Sequence, residues 1–299
     1  MRHRLEYAPV WLLVRVFAAL PRPLSRALAI MMAHTIRILH RRLSRVGHRN
    51  LELAFPEKSR SERERILRGV FTSLGRLLSE FAKFPHYTRG NVSRIAVYEG
   101  FENFQAAHDR GKGVLFMTAH LGGWEIGSFV HSLHGHPLHV VARPLDNPHL
   151  DALSTGYRTL HGNTVISKDE FARGLISAMR QGETVGILMD TNMTPPQGVF
   201  VDFFGHLACT ASGVARVALK TDAAVVPAFT VWDSEIGKYR IHFEPMVPLV
   251  DTGNAEADAI ANTQKFTKVI ERFVRKYPEQ WLWVHRRWKT RPPGEKSPY

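Results

Sequence analysis

The sequence predicts an α/β protein in which a mostly parallel central sheet is flanked by helices. From Val92 onward, short apolar runs of single-strand length alternate with segments of helical periodicity, as is typical of strands connected by helices. Upstream of that point the apolar residues follow helical spacing. The 299 residues, 44% of them apolar, suffice for a full hydrophobic core. We therefore expect an N-terminal helical segment, residues 1–90, and an α/β domain, residues 91–299.

The first fifty residues are strongly basic. They contain ten arginines and a single acidic residue, Glu6. Apolar runs at Pro9–Phe17 and Leu24–Leu39 lie between the arginines. The longest uncharged stretch, Ala27–Ile36, has 10 residues, whereas a membrane-spanning helix needs about 20. The segment is therefore predicted to form two basic amphipathic helices separated by the Pro-rich turn Leu20–Pro23.

The charge of the whole chain indicates a polyanionic partner. Forty Lys and Arg residues against 27 Asp and Glu residues give a net charge of +13. No zinc finger, aromatic RNA-binding motif or helix-turn-helix pattern is recognised, so nucleic acid is not expected as a partner. Arginines interleaved with aliphatic residues instead indicate an anionic membrane surface on which the N-terminal helices lie. A single membrane anchor, or packing of these helices against the rest of the protein, are the alternatives.

The boundaries of helices and strands follow from local patterns. Ser61 and Glu64 have the spacing of a capping box, which predicts a helix from there to about Phe84. Strands are predicted at Ile95–Tyr98, Val114–Thr118, His139–Ala142, Thr164–Ile166, Val185–Met189, Val225–Trp232 and Tyr239–Phe243. Further helices are predicted near residues 101–110, 124–133, 148–161, 169–181, 211–221 and 256–276.

A histidine and a glutamate stand at the turn after the predicted strand Val114–Thr118. His120 and Glu125 form an H-x4-E pattern, and no other histidine of the chain is followed five positions later by an acidic residue. Gly122 and Gly123 lie between them and allow a sharp turn into the next helix. A neutral imidazole can take a proton from a hydroxyl, and a neighbouring carboxylate can orient the ring. The alternative is an exposed loop histidine followed by a glutamate that the helix dipole favours.

The segment 118–125, Thr-Ala-His-Leu-Gly-Gly-Trp-Glu, resembles the catalytic block of the lysophospholipid acyltransferase superfamily. More narrowly, it resembles that of the bacterial lipid A biosynthesis (lauroyl/myristoyl) acyltransferases. Further segments are similar to blocks of this family, in the same order along nearly the whole chain. These segments are Asn50–Pro56, Ala142–Pro148, Ile187–Asn192, Val199–Gly205 with Thr210, Val226–Pro227 and Pro278–Lys289. Gly123 and Thr191 depart from the family's pattern, in which Asn and Gln are frequent at these positions.

The resemblance implies an O-acyltransferase that uses no metal and no other cofactor. A fatty acyl chain would pass from a thioester donor, acyl-carrier protein or CoA, to a hydroxyl of an anionic membrane lipid, in the best match a lipid A precursor. His120 would act as general base and Glu125 would orient it. The protein would lie at the inner (cytoplasmic) membrane, with its active site on the cytoplasmic side. The residues expected to contact the substrates are Arg143, Asp190, Asn147 and Thr210.

Two of these residues also have a rationale of their own, because each follows a predicted strand. The guanidinium of Arg143 suits phosphate or another oxyanion on the acceptor or donor, and a structural ion pair is the alternative. Asp190 would hold Arg143 or shape the pocket.

Other interpretations of the function stay open. The same mechanism could act on a lysophospholipid or another glycolipid, and a protein with this fold could bind membrane lipids without catalysis. A metal-dependent hydrolase would use the cluster His131, His134, His136 and His139. Gly135 and Pro137 instead favour a surface turn for this cluster, so no metal site is expected there.

The single cysteine and the C-terminal tryptophans are also ambiguous. Cys209 lies at a predicted helix start, which favours a thiolate nucleophile, but no base is adjacent, and a packed inert thiol is expected. Trp281, Trp283 and Trp288 alternate with basic residues, which predicts either a membrane-facing rim or burial in the core.

Overall fold

The computed structural model describes residues 2–167 and 170–299, and the N-terminal part of the chain is helical. The helices are α1 (Arg2–Ala19), α2 (Arg22–Leu39), α3 (Arg41–Ala54) and α4 (Arg60–Ala82). The break between the first two is confirmed, because Pro21 is the N-cap of α2 and has an extended backbone. Helix α3 is absent from the prediction. One non-helical residue, His40, separates it from α2, and no Pro or Gly marks this break.

Helix α4 begins earlier than predicted, with Ser59 as its N-cap. The Ser59 hydroxyl accepts a hydrogen bond from the Glu62 amide, and the Glu62 carboxylate accepts one from the Ser59 amide at 2.8 Å. The capping box predicted at Ser61 and Glu64 is therefore wrong, although both pairs have the same spacing. Glu64 instead forms an ion pair with Arg37 of α2 at 2.7 Å.

Helices α2 and α4 pack closely against each other. A Cβ atom on Gly75 would lie 2.6 Å from the Cα of Ile30, so only a glycine allows the two backbones to approach this far. The hydroxyls of Ser25 and Ser79 are 2.9 Å apart across the same contact. The contact brings the first turn of α2 to the last turns of α4, where Glu80 is fully buried.

The strands that the structure describes are β1 (Ala96–Glu99), β2 (Val114–Thr118), β3 (His139–Ala142), β4 (Thr164–Ser167), β5 (Thr184–Leu188), β6 (Gly198–Phe203), β7 (His206–Ala211), β8 (Ala224–Asp233) and β9 (Lys238–Phe243). Seven of them form the central sheet, in the order β1-β9-β8-β2-β5-β3-β4. Strands β8, β2, β5, β3 and β4 are mutually parallel, whereas β9 runs antiparallel to β8 and pairs in parallel with β1. The predicted, mostly parallel sheet is confirmed.

Strands β6 and β7 form a separate antiparallel hairpin that the sequence did not predict. Phe204 and Gly205 form its two-residue loop, and both have positive φ, 57° and 78°. This is the conformation of a type I′ turn, for which the usual sequence signal is Asn-Gly or Asp-Gly. Because a phenylalanine occupies the first position of the turn, the sequence lacks the usual signal for this hairpin.

The helices that connect the strands are α5 (Phe101–His108), α6 (Trp124–Leu133), α7 (Pro148–Arg158), α8 (Phe171–Arg180), α9 (Gly213–Thr221) and α10 (Ala255–Lys276). The six predicted helices are confirmed, with shifts of a few residues at their ends. The predicted start of α8 at residue 169 lies outside the described residues. The α/β class is therefore confirmed.

The N-terminal helices expose much of their apolar surface. Of the fifteen large hydrophobic side chains that are exposed in the described chain, ten lie between Leu5 and Leu39. Among the helices described, none combines the length and the apolar character that a membrane crossing requires. The membrane association of this segment stays a prediction, as does the domain boundary at residue 90.

Candidate active site

His120 and Asp190 follow neighbouring parallel strands. In the register of β2 and β5, Thr118 lies opposite Leu188, so the residues two positions beyond each strand meet at the carboxyl edge of the sheet. The amide of Met189 donates to the carbonyl of Thr118 at 3.0 Å and extends the pairing past the strands. Two residues that are far apart in the chain are thus brought side by side by backbone register alone.

A buried carboxylate holds the imidazole of His120. Asp190 Oδ1 lies 2.8 Å from His120 Nδ1, and Asp190 Oδ2 accepts from the His120 amide at 2.8 Å. The same Oδ2 accepts from the indole Nε1 of Trp281 at 2.7 Å. The side chain of Asp190 is 3% exposed, whereas that of His120 is 21% exposed. The carboxylate therefore faces the protein, while the imidazole remains accessible.

The electrostatics of the pair define the protonation state of the imidazole. Burial by itself raises the pKa of Asp190, but the charge of His120 and the hydrogen bonds from His120 and Trp281 lower it to about 2. Because an ionised carboxylate can only accept, His120 Nδ1 carries the proton that is donated to it, and in the neutral ring His120 Nε2 has the free lone pair. Burial also lowers the pKa of His120. The charge and hydrogen bond of Asp190, followed by the charge of Glu125, outweigh burial, so this pKa lies above its usual value.

The segment that follows α10 covers one side of the His120 turn. The amide of Leu282 donates to the carbonyl of His120 at 3.0 Å, and Trp281 forms a bridge with Leu121. The amide of Gly122 donates to the carbonyl of Gln280 at 2.9 Å. The C-terminal segment therefore fixes the backbone of the turn as well as the carboxylate beneath it.

The C-terminal tryptophans are buried, so the interpretation as a membrane-facing rim is wrong. Trp281 is 1% exposed, and Trp283 and Trp288 are fully buried. The indoles of Trp281 and Trp283 pack edge to face, with ring centroids 4.5 Å apart. The core alternative is confirmed for all three, and Trp281 also contributes a hydrogen bond to the site.

Glu125 contacts Arg158 of α7. Arg158 Nη2 lies 2.6 Å from Glu125 Oε1, and Arg158 Nε lies 3.0 Å from Glu125 Oε2, with both side chains largely buried. In the described residues no hydrogen bond joins Glu125 to the ring of His120. Asp190 therefore makes the contact with the ring that was predicted for Glu125, and the charge of Glu125 raises the pKa of His120. A catalytic role of Glu125 stays a prediction. No local pattern in the sequence pointed to Arg158, which lies 33 residues further along the chain.

The two glycines of the turn are packed on both sides. Gly122 has a φ of +58°, and a Cβ atom there would lie 2.3 Å from the carbonyl oxygen of Thr230. A Cβ atom on Gly123 would lie 2.7 Å from the ring of Tyr239. This contact gives a physical reason for the departure from the family's pattern at position 123, because the Tyr239 ring occupies the space of a side chain.

Substitution of Gly122 by alanine is expected to displace the turn that carries His120. Gly122→Ala combines a left-handed backbone with a clash against backbone, and such strain costs about 1–3 kcal/mol. We expect a lower melting temperature and a loss of catalytic rate of at least about tenfold. Gly111→Ala is the matched control, because Gly111 also has positive φ (+66°) but a Cβ atom there would meet nothing within 4 Å. Equal rates in the two variants would contradict this account.

Two predicted substrate residues take part in local contacts. Arg143 is exposed and forms an ion pair with Asp146 at 3.1 Å, so the alternative that Asp190 holds it is wrong. Asn147 is buried and caps α7, because its side-chain oxygen accepts from the amide of His149 at 3.0 Å. A role of Arg143 or Asn147 in binding substrate stays a prediction.

Thr210 is buried beside a charged residue that the sequence did not single out. Arg287 Nη2 donates to Thr210 Oγ1 at 2.5 Å, and Arg287 Nη1 donates to the carbonyl of Cys209 at 2.9 Å. Arg287 is 1% exposed, and burial lowers its pKa to about 10. Nearby, the Asn192 amide donates to His285 Nε2 at 3.0 Å. These contacts tie strand β7 and the loop after β5 to the C-terminal segment.

The histidine cluster forms no metal centre in the part of the chain that is described. No group of three or more His, Cys, Asp or Glu side chains there could hold a metal ion. His131 is buried among aromatic rings, with His136 stacked on it at 5.1 Å, and burial lowers the pKa of His131 to about 3. The surface-turn interpretation is therefore wrong for His131. Cys209 is fully buried on β7, where burial raises the pKa of the thiol, so the thiol is not activated.

An accessible imidazole with a free Nε2, held by a buried carboxylate at a strand end, can activate a hydroxyl for attack on an acyl group. The class that this fold and site define is an α/β protein with a histidine–aspartate pair at the carboxyl edge of a mostly parallel sheet.

Comparison with known proteins identifies the family. The model of the bacterial lipid A biosynthesis acyltransferases matches residues 2–290. The chain is 29% identical over 291 residues to the lipid A biosynthesis palmitoleoyltransferase of Escherichia coli (strain K12), covering 97% of this chain and 92% of that protein. It is 30% identical over 294 residues to the lauroyltransferase of the same organism, with the same coverage. The myristoyltransferase is 27% identical over 252 residues, 84% of this chain and 76% of the relative. The chain belongs to the bacterial lipid A biosynthesis acyltransferase family and is an O-acyltransferase.

Proposed function

We propose that this protein transfers a fatty acyl chain from a thioester donor, acyl-carrier protein or CoA, to a hydroxyl of a lipid A precursor. The observation that carries the proposal is the contact of His120 Nδ1 with the buried carboxylate of Asp190, on an imidazole that stays partly exposed. The family supplies the reaction class, and the names of three relatives supply the acceptor class.

The proposed reaction uses the imidazole first as base and then as acid. His120 Nε2 takes the proton of the acceptor hydroxyl as its oxygen attacks the thioester carbonyl. Asp190 stabilises the imidazolium that forms. Collapse of the tetrahedral intermediate breaks the carbon–sulfur bond. The sulfur takes the proton from Nε2 and leaves as a thiol. The products are the new ester and the free thiol of the carrier.

The intermediate carries an oxyanion that needs hydrogen-bond donors. The amides of Leu121, Gly122 and Gly123 are unsuited, because they donate to the carbonyls of Ala119, Gln280 and Thr230 within the protein. Arg158 is a cation close to the turn, and it is held in place by Glu125. We propose that the guanidinium of Arg158, positioned by Glu125, is the positively charged group at the reaction centre, while Asp190 orients the base.

The acceptor is expected to be anionic, which fits the net charge of +13. The relatives named for palmitoleoyl, lauroyl and myristoyl transfer are 29%, 30% and 27% identical to this chain, so identity does not select an acyl length. A lysophospholipid or another glycolipid is the alternative acceptor for the same chemistry.

The N-terminal helices are proposed to hold the protein on the inner membrane, with the site on the cytoplasmic side. Trp11 and Leu12 of α1 and Met31 of α2 are exposed, and exposed arginines such as Arg4 and Arg15 lie near them in the chain. Apolar side chains beside cations are suited to the interface of an anionic bilayer. The acceptor lipid would then reach His120 without leaving the membrane.

Mass spectrometry of lipids tests the proposal. Purified protein is incubated with acyl-carrier-protein or CoA thioesters and extracted bacterial membrane lipids, and His120→Ala serves as the control. We expect a lipid A species to gain one acyl mass only with the unsubstituted protein. A gain on a phospholipid or another glycolipid would overturn the acceptor and keep the mechanism. The absence of any acylated lipid with an intact donor would contradict the proposed function.

A further inference from the structure

Three arginines converge on the junction between the N-terminal helices and the sheet. Arg22 and Arg26 of α2 donate to Glu80 Oε1 at 2.8 and 2.9 Å. The guanidinium groups of Arg26 and Arg76 lie 4.4 and 4.9 Å from the ring centre of Trp232, at the end of β8. We refer to Arg22, Arg26 and Arg76 as the arginine cluster.

The positive charge of the arginine cluster is not balanced by ion pairs. Glu80 accepts from two of the three guanidinium groups and also from the hydroxyl of Tyr87 at 2.5 Å. Within the described residues, Arg76 forms no ion pair or hydrogen bond through its guanidinium. Burial lowers the pKa of Arg76 and repulsion by Arg26 adds to this, and together they outweigh the opposite effects of Tyr239 and Glu279.

Several donors in the arginine cluster have no acceptor in the protein. Arg22 Nη2 and Arg26 Nε are buried and make no hydrogen bond with any described residue, and the same holds for the hydroxyl of Tyr239. Tyr239 is fully buried, and its hydroxyl is close enough to Arg26 and Arg76 to be affected by their charge. Buried donors are almost always paired, so we expect an ordered water or an anion to accept from these groups.

The arginine cluster borders the turn that carries His120. The ring of Tyr239 lies against Gly123, and it packs edge to face on Trp232 with ring centres 5.3 Å apart. The Gln280 side chain accepts from the amide of Trp232 at 2.7 Å and donates to the carbonyl of Trp232 at 2.9 Å. The backbone carbonyl of Gln280 accepts from the amide of Gly122. Tyr239 and Trp232 therefore connect the arginine cluster to the turn through direct packing contacts.

We propose that the arginine cluster binds a phosphomonoester of a substrate while its reacting group lies at His120. A phosphate carries about −1.5 to −2 charges and several acceptor oxygens. This negative charge matches the excess positive charge of three guanidinium groups over the one carboxylate of Glu80. The side chains of Arg22 and Arg26 remain 28% and 22% exposed, so the edge of the arginine cluster faces solvent although its unpaired nitrogen atoms are buried. The assignment of the phosphate to a substrate rests on the proposed function. The phosphate belongs either to the acceptor lipid or to the CoA of the donor.

Binding measured without turnover tests the site independently of the reaction. Glucosamine 1-phosphate is titrated calorimetrically into the full-length protein, and glucosamine, which has the same amino group but no phosphate, is the comparison. We expect the phosphate compound alone to bind, and Arg76→Gln to weaken its binding by about tenfold or more, since a charge-assisted contact is lost. Arg76→Lys keeps the charge and should retain more affinity than Arg76→Gln. The matched control is Arg68→Gln, an exposed position on the same helix.

Turnover then distinguishes the two sources of the phosphate. If Arg76→Gln raises the KM for the phosphorylated acceptor, and phosphatase-treated acceptor abolishes the difference between the proteins, the phosphate belongs to the lipid. If it raises the KM for acyl-CoA but not for acyl-carrier protein, the phosphate belongs to CoA. Equal affinity of Arg76→Gln and Arg68→Gln for glucosamine 1-phosphate, with both proteins folded, would overturn the proposal. Binding of the phosphate compound without acylation of any lipid would contradict the proposed function and keep the anion site.

Discussion

Replacement of His120 by alanine is expected to lower kcat by at least about 10²–10⁴-fold, the contribution usual for a general base. The variant loses the one free nitrogen that Asp190 positions, while the backbone amide of residue 120 can still donate to Asp190. The fold should therefore persist. The measurement is single-turnover acyl transfer from a thioester donor to lipid, with the circular dichroism spectrum and melting temperature recorded in parallel.

The matched control for this variant is His86→Ala, at an exposed histidine in the turn after α4. It should leave the rate unchanged. Full activity in His120→Ala would exclude the imidazole as the base, whereas equal losses in both variants would indicate a general effect of removing histidines.

Replacement of Asp190 by asparagine is expected to cost about 10⁴-fold in kcat, by analogy with the same change in the Ser-His-Asp triad. An amide can donate to His120 Nδ1 and so place the proton on Nε2, which removes the free lone pair. Asparagine has nearly the same shape as aspartate, so the contact with Trp281 can be retained through its carbonyl oxygen. The loss should therefore appear in kcat with little change in the KM of either substrate.

The pH profile separates the two carboxylates near His120. The base must be neutral, so kcat/KM should be high above the raised pKa of His120 and should fall as pH drops through it, above the ordinary 6.5. In Asp190→Asn the main factor that raises this pKa is gone and burial lowers it, so the acid limb of the residual activity should move to lower pH. Glu125→Gln removes only the weaker charge effect and should move the limb less. If the acid limb moved further in Glu125→Gln than in Asp190→Asn, Glu125 and not Asp190 would be the residue that orients His120.

The sequence predicted the central sheet well because its strands carry local signals. Strand β2 is a continuous apolar run bounded by glycine and by the His120 turn, and its boundaries were predicted without error. The hairpin β6–β7 was missed because Phe204 occupies a turn position that usually carries asparagine. Helix α3 was missed because its break from α2 lacks a proline or glycine.

Local patterns in the sequence connect only those site residues that lie close to one another along the chain. The H-x4-E pattern located the turn and drew attention to His120. The partner of the imidazole, however, is 70 residues away and is determined by the register of β2 against β5. Asp190 was placed at a strand end, but its contact with His120 needed the order of the strands in the sheet. Arg158 and Trp281 lie on other elements, and no local pattern connects them to the turn.

The indole of Trp281, which donates to Asp190, is synthesised 91 residues after that carboxylate. A nascent chain that has already completed β2 and β5 therefore contains the base and its carboxylate but lacks the group that fixes them from the other side. Premature stop codons upstream of Trp281 should consequently yield products that retain the central strands but cannot assemble the reaction centre. We therefore expect acyl transfer to require a chain that extends through Trp281.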